Sequence, residues 1–345
     1  GHIMNKFLNK RYIMKKIYIC IVMLAAVLLG TSCNDEWTDE LYQQYISFKA
    51  PIGANGVTDI YVRYKENGKV TYKLPIIVSG NTDNVANREV HIAVDSDTLK
   101  VLNDARFGRE DLYFKELQKS SYSFPEVVNI PKGVNTVTAD IDFSLGGIDL
   151  VNKWVLPLTI VDSPSYNYDK NPRKNFAKAL LRVLPFNDYS GNYSTTTMQV
   201  FIKKADGTYD IKDAMVKSNR TAYVVDDNRV FFYAGLVEED LIDRAAYKVY
   251  FEFGTGNDKS LKLYAANEKI KFKPSKEAFF YSITEKMDDE KPYLLHRYVT
   301  FDIEYDFVDY TSAPGVEIPY KVKGSLTLER RINTQIPDED QAIEW

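Results

Sequence analysis

The chain has 345 residues, with 44 Lys and Arg, 48 Asp and Glu, and a net charge of −4. Proteins that bind nucleic acid carry strongly basic surfaces, so this charge makes nucleic acid a poor candidate partner. Aromatic residues form 13% of the sequence, with 25 tyrosines against 3 tryptophans. That richness in tyrosine favours β-structure, whose pleated faces accommodate aromatic side chains.

Residues Met14 to Cys33 have the features of a lipoprotein signal peptide. Lys15-Lys16 form a positive n-region, residues 17–29 an unbroken apolar run, and Leu29-Gly30-Thr31-Ser32-Cys33 a small-residue cleavage site that ends in cysteine. As a helix, this run would cover about 20 Å, which is less than the roughly 30 Å hydrocarbon core of a bilayer. We therefore expect a cleaved signal rather than a permanent membrane span.

Cys33 is predicted to carry the lipid anchor. Cys20 lies inside the predicted signal, so Cys33 is the only cysteine left in the mature chain and no disulfide is expected within it. The leader resembles those of Bacteroidetes lipoproteins, in which an acidic stretch after the cysteine favours display on the outer face of the outer membrane. Asn34-Asp35-Glu36 and Asp39-Glu40 fit that pattern. The expected location is therefore the outer membrane, as a cell-surface lipoprotein.

The remaining sequence predicts a tether and two domains. Residues 1–32 are interpreted as a cloning scar followed by the signal peptide, and residues 33–44 are polar and acidic with little periodicity, as in a flexible tether. Strand-like alternation begins at Tyr45, and Pro185 followed by an Asn-Asp pair interrupts it before a new pattern starts at Tyr193. We therefore predict an N-terminal domain over residues 45–185 and a C-terminal domain over residues 186–345.

The N-terminal domain is predicted to be an immunoglobulin-like β-sandwich of about seven strands. Residues 66–69 contain Asn-Gly between two strand-like runs and predict a hairpin. The period changes over residues 97–117, which indicates one or two short helices on the flank of the sandwich. Strand-like alternation covers these segments: residues 45–48, 59–64, 70–78, 89–94, 126–130, 134–143, 153–161 and 176–184.

The C-terminal domain is also predicted to be all-β, as an antiparallel sandwich or a barrel-like fold. Residues 237–246 are the exception, because their acidic start suits the N-terminus of a helix. The predicted strands cover these segments: residues 195–203, 221–225, 229–233, 247–253, 260–264, 269–272, 298–307 and 318–330.

Two blocks of sequence resemble domains found together in Bacteroidetes surface lipoproteins. The first block resembles an N-terminal domain of unknown function and includes Val90-His91-Ile92-Ala93-Val94-Asp95, Val128-Asn129-Ile130-Pro131-Lys132-Gly133 and Trp154-Val155-Leu156-Pro157-Leu158-Thr159-Ile160. The second block, Gly324-Ser325-Leu326-Thr327-Leu328-Glu329-Arg330-Arg331-Ile332-Asn333 followed by Ile336-Pro337, resembles the C-terminal domain that often accompanies it.

The resemblance implies a glycan-binding lipoprotein of a polysaccharide-utilisation locus. Such proteins work beside a TonB-dependent transporter and its binding lipoprotein. In some relatives the N-terminal domain precedes a chitinase-type glycosidase barrel. No such barrel follows in this sequence, and the resemblance therefore does not extend to catalysis.

The acidic segment 301–307 is the strongest candidate for a catalytic motif, because chitinase-type enzymes carry D-x-x-D-x-D-x-E. Alternation places Asp302, Glu304 and Asp306 on one face of a strand, but their spacing differs from that motif and no βα units follow. An exposed strand face also does not raise a carboxyl pKa as a general acid requires. We therefore predict a solvent-facing acidic row paired with a cationic segment such as residues 269–273, and no enzymatic activity.

No metal site or cofactor is expected. His91 and His296 are far apart in sequence, and Cys33 is assigned to the lipid. Asp226-Asp227-Asn228 and Asp288-Asp289-Glu290 lack the spacing of an EF-hand loop and are interpreted as turns. A Ser-His-Asp triad forms only in three dimensions and stays open, although the sequence contains no G-x-S-x-G elbow.

Sugar binding requires an exposed aromatic ring beside polar groups that pair with hydroxyls. Trp154 lies between apolar neighbours and is predicted to be in the core. The alternative for the loop tyrosines is that they fold back on the edge of the sandwich. The candidate glycan-binding residues are in two loops: Tyr166, Asn167 and Tyr168 in the first, and Tyr281 and Tyr293 around the second.

The leading hypothesis is a non-catalytic surface lipoprotein that binds an oligosaccharide or polysaccharide for an outer-membrane transporter. The alternative is an adhesin or scaffold that binds a protein, which a long unpaired edge strand would favour. Asp97-Thr98-Leu99 also matches a short pattern at which Bacteroidetes proteins are O-glycosylated, so Thr98 is a candidate modification site.

Overall fold

Two sheets packed face to face form the N-terminal domain of the computed structural model, which describes residues 43–345. Cys33 and the predicted signal peptide lie outside the described residues. Strands are numbered along the chain. In spatial order, the first sheet contains β10 (Asp169–Lys170), β1 (Tyr45–Phe48), β3 (Val70–Ser79), β8 (Thr136–Phe143) and β6 (Tyr122–Ser123). The second sheet contains β2 (Thr58–Arg63), β11 (Lys178–Phe186), β9 (Trp154–Ile160), β4 (Arg88–Val94) and β7 (Val127–Ile130), with β5 (Lys115–Glu116) beside β9.

Alternation along the strands builds the sandwich core. Leu74 and Ile76 of β3 face Ile60 and Val62 of β2 from the opposite sheet, and all four are buried. Because β2 pairs with β11 while β3 pairs with β1 and β8, residues 66–69 connect two sheets. The predicted hairpin at this turn is therefore wrong, because burial of both apolar faces separates the two strands.

Helix α1 (Ser96–Arg106) covers one end of the second sheet. Asp95 caps it by accepting from the Thr98 backbone N–H, and Leu99 packs with Phe114 and Val155. Short 3-10 helices at Glu110–Leu112 and Lys119–Ser121 follow. The prediction of short helices on the flank of the sandwich is confirmed.

The C-terminal domain is a closed eight-stranded barrel, which confirms the all-β fold class and its barrel-like option. Its aromatic-rich interior is filled by residues such as Tyr193, Phe251 and Phe301. In order around the barrel, the strands are β12 (Gly191–Ser194), β14 (Asn219–Val224), β15 (Arg229–Tyr233), β16 (Lys248–Phe253), β17 (Ser260–Tyr264), β19 (Phe279–Met287), β20 (Leu294–Asp309) and β21 (Ile318–Asn333). Pairing between β20 and β21, and between β21 and β12, closes the ring. Three further strands pair with this barrel: β13 (Gln199–Ile202), β18 (Lys273–Pro274) and β22 (Ile343–Glu344).

At Gly324, strand β21 changes its pairing partner from β13 to β12. The neighbouring residues Leu328 and Thr327 pair with β12, whereas Lys323 begins the pairing with β13. A Cβ atom on Gly324 would lie 2.5 Å from the Thr197 carbonyl oxygen, and its φ of +141° is unfavourable for other residues. Glycine is therefore required where the backbone of residues 197–198 crosses close to the strand.

Two predicted elements of the C-terminal domain differ from the structure. Residues 237–246 form turns and end in a 3-10 helix, Arg244–Tyr247, and the backbone N–H groups of Leu241 and Arg244 donate to carbonyls three residues back rather than four. Arg220 donates to the Val237 carbonyl, and Arg244 donates to that of Leu241. The predicted strand 269–272 is instead occupied by the 3-10 helix Glu268–Ile270, which the Asn267 side chain caps. A further 3-10 helix lies at Ile211–Asp213.

The two domains share a buried interface. Tyr64, Leu150 and Val151 of the sandwich pack against Tyr223 and Phe231 on the outside of the barrel. Arg244, which is 4% exposed, donates to the Val151 and Asp111 carbonyls across this interface. These charge-assisted hydrogen bonds join the two domains across the interface. No helix within residues 43–345 has the length and hydrophobicity of a membrane span.

Candidate functional site

A cleft of about 670 Å³ lies where the second sheet of the sandwich meets the outside of the barrel. One wall comes from β2 and β11, and the other comes from β12, β14 and β21. Residues 237–240 close one side, and residues 343–345 close another. Ligand sites often form at such domain junctions, because two separately folded surfaces provide concavity.

Strand register explains the composition of the sandwich wall. The parallel pair β2 and β11 sets Asp59 opposite Arg182 and Tyr61 opposite Leu184. Their neighbours Ile60, Leu181 and Val183 point into the sandwich core. Because side chains alternate between faces, the first four residues are directed into the cleft.

Tyr61 and Trp345 form an aromatic pair at the mouth of the cleft. Their ring centroids lie 4.2 Å apart at an interplanar angle of 11°. Phe186 contacts Trp345 edge-on at 4.7 Å, and Arg330 lies 5.2 Å from the Trp345 ring. Trp345 keeps 48% of its surface exposed. The pair therefore presents aromatic surface to solvent, and the strap formed by residues 338–345 brings a barrel-domain residue onto the sandwich.

Arg182 and Glu239 form a bidentate ion pair inside the cleft. The two guanidinium nitrogens lie 3.1 and 2.7 Å from the Glu239 oxygens, and the Tyr223 hydroxyl donates to the same carboxylate at 3.1 Å. Burial alone would raise the pKa of Glu239, but Arg182 and Tyr223 together hold it below its usual value. Glu239 is therefore a fixed carboxylate that accepts hydrogen bonds.

Two buried polar atoms at the cleft have no hydrogen-bond partner among the described residues. They are the Nε of Arg182, whose side chain is 8% exposed, and the hydroxyl of Tyr233, which is 3% exposed. Both residues line the cleft. A buried polar group without a partner is costly, so both atoms retain unused hydrogen-bonding capacity beside the cleft.

The barrel wall supplies small polar groups. Antiparallel pairing sets Asn192 opposite Thr221 and Ser194 opposite Asn219. All four are exposed, and Asn192, Asn219 and Thr221 line the cleft. Amide and hydroxyl groups of this kind both donate and accept hydrogen bonds, as recognition of sugar hydroxyls requires.

The first loop predicted to bind glycan closes the edge of the sandwich instead. Tyr166 stacks on His91 with centroids 4.1 Å apart, and Tyr168 is buried, with its hydroxyl donating to the Val161 carbonyl at 2.6 Å. The Asn167 amide donates to the Asn87 carbonyl at 2.6 Å. These residues lie together but not at the cleft, and the expectation of an exposed ring at Tyr168 is corrected, because the sandwich edge buries it.

Tyr281 and Tyr293 are not brought together as a platform. Tyr281 is 4% exposed in the barrel interior, where its hydroxyl donates to the Gly254 carbonyl at 2.6 Å. Its expected exposure is corrected, because β19 alternates and directs this ring inward. Tyr293 is half-buried, and its carbonyl accepts hydrogen bonds from Thr334.

Thr98 lies in the first turn of α1. Its hydroxyl donates to Asp95 at 2.6 Å, and Asp95 also pairs with Lys178. O-glycosylation of Thr98 would therefore disturb the helix cap. It stays a prediction that the structure does not test.

The acidic row of β20 lies on the outside of the barrel, as alternation predicts. Phe301, Ile303, Tyr305 and Phe307 are buried, while Asp306 lies 3.1 Å from the Lys203 amine and 3.3 Å from that of Lys321. Asp306 also pairs in register with Lys273. Ion pairing with lysines is confirmed for Asp306, but its ion-pair partners Lys203 and Lys321 lie outside the predicted segment 269–273.

Neither candidate calcium loop gathers metal ligands. Asp226 and Asp288 each cap a turn by accepting from backbone N–H groups two and three residues later. Among residues 43–345, no cluster of three His, Cys, Asp or Glu side chains has the geometry of a metal site.

His296 forms a cluster with two carboxylates, those of Asp288 and Glu329, that the sequence does not indicate. Its Nε2 lies 2.8 Å from Asp288 and its Nδ1 lies 2.5 Å from Glu329. These hydrogen bonds raise the pKa of His296, and the same contact with His296 lowers the pKa of Asp288 to about 2. Imidazolium between two carboxylates is a structural ion cluster at one end of the barrel.

Comparison with known proteins identifies the family to which this two-domain chain belongs. A model of a domain of unknown function, DUF4973, matches residues 37–164, and a model of a C-terminal domain matches residues 177–327. A solved Bacteroides ovatus protein of unknown function is 50% identical, with 87% of this chain and 100% of that chain covered and a TM-score of 0.76. The chain belongs to this family of two-domain Bacteroides proteins. The C-terminal model begins at residue 177 and so includes β11, the sandwich strand that lines the cleft.

Two further structures extend the comparison. A multidomain protein including DUF1735 from Bacteroides ovatus is 48% identical over 87% of this chain and 100% of its own, with a TM-score of 0.76. An auxiliary nutrient binding protein from Bacteroides thetaiotaomicron is 42% identical over 86% of this chain and 100% of its own, with a TM-score of 0.77. None of the curated proteins matches the chain.

Proposed function

We propose that this protein is a non-catalytic surface lipoprotein that binds an oligosaccharide in the cleft between its two domains. In this proposal, lipid on Cys33 anchors it to the outer membrane, and the bound glycan passes to a TonB-dependent transporter and its binding lipoprotein. The observation that carries the proposal is the stacked pair of Tyr61 and Trp345 at the mouth of a polar cleft.

The aromatic pair suits the apolar face of a pyranose. A sugar ring presents C–H groups on one face, which pack on an aromatic ring, while its hydroxyls project from the rim. Trp345 is half-exposed and rests on Tyr61, so its position is fixed before a ligand arrives. Preorganised rings lose little conformational freedom on binding, and this favours affinity.

Polar groups surround the pair in the pattern that hydroxyl recognition needs. Asp59 and Glu239 offer carboxylate oxygens, Asn192 and Asn219 offer amides, and Arg182 offers an unpartnered N–H. Pockets for small molecules combine apolar surface with a few such convergent polar groups. The relative named as an auxiliary nutrient binding protein, at 42% identity, also supports a role in nutrient capture.

Binding without catalysis is proposed because Glu239 is unsuited to donating a proton. Glycoside hydrolysis requires a general acid whose pKa is raised, and Arg182 and Tyr223 keep the pKa of Glu239 low. Burial raises the pKa of Asp59. However, one such carboxyl does not make the pair of positioned groups that hydrolysis needs.

A glycan array followed by calorimetry on the chain from residue 43 onward tests the proposal. Tyr61→Ala and Trp345→Ala should each weaken binding of a retained glycan at least tenfold. Phe280→Ala is the matched control, because Phe280 is 71% exposed on β19, away from the cleft, and should leave binding unchanged. Failure of every glycan to bind, or equal binding by all three variants, would contradict the proposal.

One observation favours the alternative of a protein-binding scaffold. Strand β19 pairs with β17 only at Phe279 and Phe280, so residues 282–287 pair with β20 on one side alone within the described structure. All six are exposed. Open edges of this kind accept an extended partner strand, although the charged Glu285 and Lys286 protect this one.

Two variants distinguish glycan binding in the cleft from protein binding at the open edge of β19. If the edge binds a protein, Ile283→Lys should abolish co-purification of the transporter complex from Bacteroides membranes while leaving glycan binding intact. If only the cleft functions, Trp345→Ala should remove glycan binding and Ile283→Lys should change neither property.

A further inference from the structure

We propose that the cleft selects a neutral, hydroxyl-rich oligosaccharide and discriminates against sugars that carry carboxylate or sulfate groups, with Asp59 as a specificity-determining residue. This inference rests on the proposed function and concerns the same site. Most of the arginines that line the cleft are bound to other groups of the protein, whereas several of its carboxylates are not.

Six carboxylates and four guanidinium groups line the cleft, and three of the guanidinium groups are committed to the fold. Arg182 is neutralised by Glu239. Arg220 donates to the Tyr233 carbonyl at 2.9 Å and contacts Glu238. Recognition of an anionic sugar needs a cation that is free to pair with it, and these arginines are not.

Arg330 and Arg331 complete the set of cations. Arg330 donates to the Asn187 and Ser190 carbonyls, at 2.7 Å each, and is buried. Arg331 is exposed, but strand register sets it directly opposite Glu344. No ion pair within 4 Å joins them in the described part of the chain, so Arg331 is the single uncommitted cation of the cleft and is outnumbered by its uncommitted carboxylates.

Three carboxylates of the cleft have no ion-pair partner within 4 Å among the described residues. They are Asp59 on β2, Asp240 in the loop after β15, and Glu344 on β22, and all three are exposed at the cleft. They come from three different elements of its lining. A ligand carboxylate or sulfate placed among them would meet like charge, whereas sugar hydroxyls would donate hydrogen bonds to them.

The two buried atoms without hydrogen-bond partners also favour a neutral ligand. Arg182 Nε can donate to a neutral oxygen, because Glu239 already balances the charge of its guanidinium group. The Tyr233 hydroxyl can both donate and accept. Asp59 lies opposite Arg182 in strand register, and both side chains line the cleft, so a sugar bound beside Arg182 lies next to this carboxylate. Neutral hydroxyl and ring oxygens satisfy these groups without adding a charge.

Calorimetry with neutral and acidic hexasaccharides tests the inference. The neutral probes are maltohexaose, mannohexaose and xylohexaose, and the acidic probes are hexagalacturonate and a hyaluronan hexasaccharide. We expect any neutral ligand to bind at least tenfold more tightly than the acidic probes. Asp59→Asn should weaken the neutral ligand and reduce this ratio at least threefold, because it removes both an acceptor and a like charge.

Asp227→Asn is the matched control, since Asp227 is exposed in the β14–β15 turn and does not line the cleft. It should change neither affinity nor ratio. Equal or tighter binding of an acidic probe, or an unchanged ratio in Asp59→Asn, would overturn the inference while leaving glycan binding intact. Absence of binding by all five probes and by a wider array would instead count against the proposed function itself.

Discussion

The barrel interior and the interdomain cleft are both rich in aromatic side chains, but their polar groups behave differently. Inside the barrel, the Tyr193 hydroxyl donates to the Tyr189 carbonyl at 2.6 Å and that of Tyr281 donates to the Gly254 carbonyl. In the cleft, Arg182 Nε and the Tyr233 hydroxyl have no such partner. The contrast teaches that unpartnered polar atoms and exposed rings, rather than tyrosine content, identify the place prepared for a ligand.

The largest effect should come from breaking the barrel interior. Phe251 is 2% exposed and packs 4.6 Å from Phe232, so Phe251→Ala would leave a cavity. We expect a loss of about 3–5 kcal/mol in the free energy of unfolding of the barrel. Urea denaturation followed by tyrosine fluorescence measures it, with Phe280→Ala as the exposed control. A loss below about 1 kcal/mol would show that the interior is loosely packed.

The next effect concerns the ion pair that shapes the cleft. Glu239→Ala removes the partner of Arg182, whose side chain is 8% exposed, and leaves its charge unpaired. Glu239 is itself partly exposed, so we expect a loss of about 2 kcal/mol in stability rather than the value for a fully buried pair. Glu239→Gln retains the shape and should cost less. Equal stability of both variants and the wild type would mean that solvent replaces the pair.

A smaller and more local effect is expected at the aromatic pair. Trp345→Ala should reduce affinity for a retained glycan at least tenfold, equivalent to about 1.4 kcal/mol. It should lower the free energy of unfolding by less than about 1 kcal/mol, because the ring is half-exposed. Calorimetry and urea denaturation on the same sample separate the two quantities. A large loss of stability would assign Trp345 to the fold rather than to the cleft.

The smallest effect should be a pH dependence at the His296 cluster. The pKa of His296 is raised by Asp288 and Glu329, so its stabilising interaction is fully present below the ordinary pKa and disappears as pH rises through the raised value. The free energies of unfolding of wild type and His296→Gln should therefore differ more near pH 6 than at about pH 9. An equal difference at both pH values would contradict this assignment. Asp288, with a pKa of about 2, affects only the acid range.

Much of the fold is predictable because alternation alone determines which residues are buried. Phe301 to Phe307 alternate between apolar and acidic residues, and the structure buries the apolar set. Glu304 and Asp306 pair with lysines, and Asp302 accepts a hydrogen bond from Ser325. The short β12 and the partly exposed β19 are not predicted, because four residues carry little periodic signal and the second half of β19 buries nothing. Without these two strands, the sequence predicts a β-domain and leaves the sandwich and the barrel as alternatives.

The candidate site, unlike the fold, is not predictable from local sequence patterns. Tyr166 and Tyr168 satisfy every local criterion for a binding loop, yet they close a sheet edge through His91 and Val161, which are distant in sequence. Tyr61 gives a weak signal, as the polar-face residue of an alternating strand, and no local pattern connects Trp345 with the sandwich. The structure instead places Trp345 on Tyr61 of the sandwich.

The sequence by itself therefore predicts an export leader with lipid at Cys33, and it determines the all-β class and the inward faces of the long strands. These features depend on residues that are adjacent or two apart along the chain. The tertiary structure alone decides where the cleft lies, because Tyr61, Arg182, Glu239 and Trp345 come from four separated segments. Only the packing of β11 against the outside of the barrel brings these four side chains to one cleft.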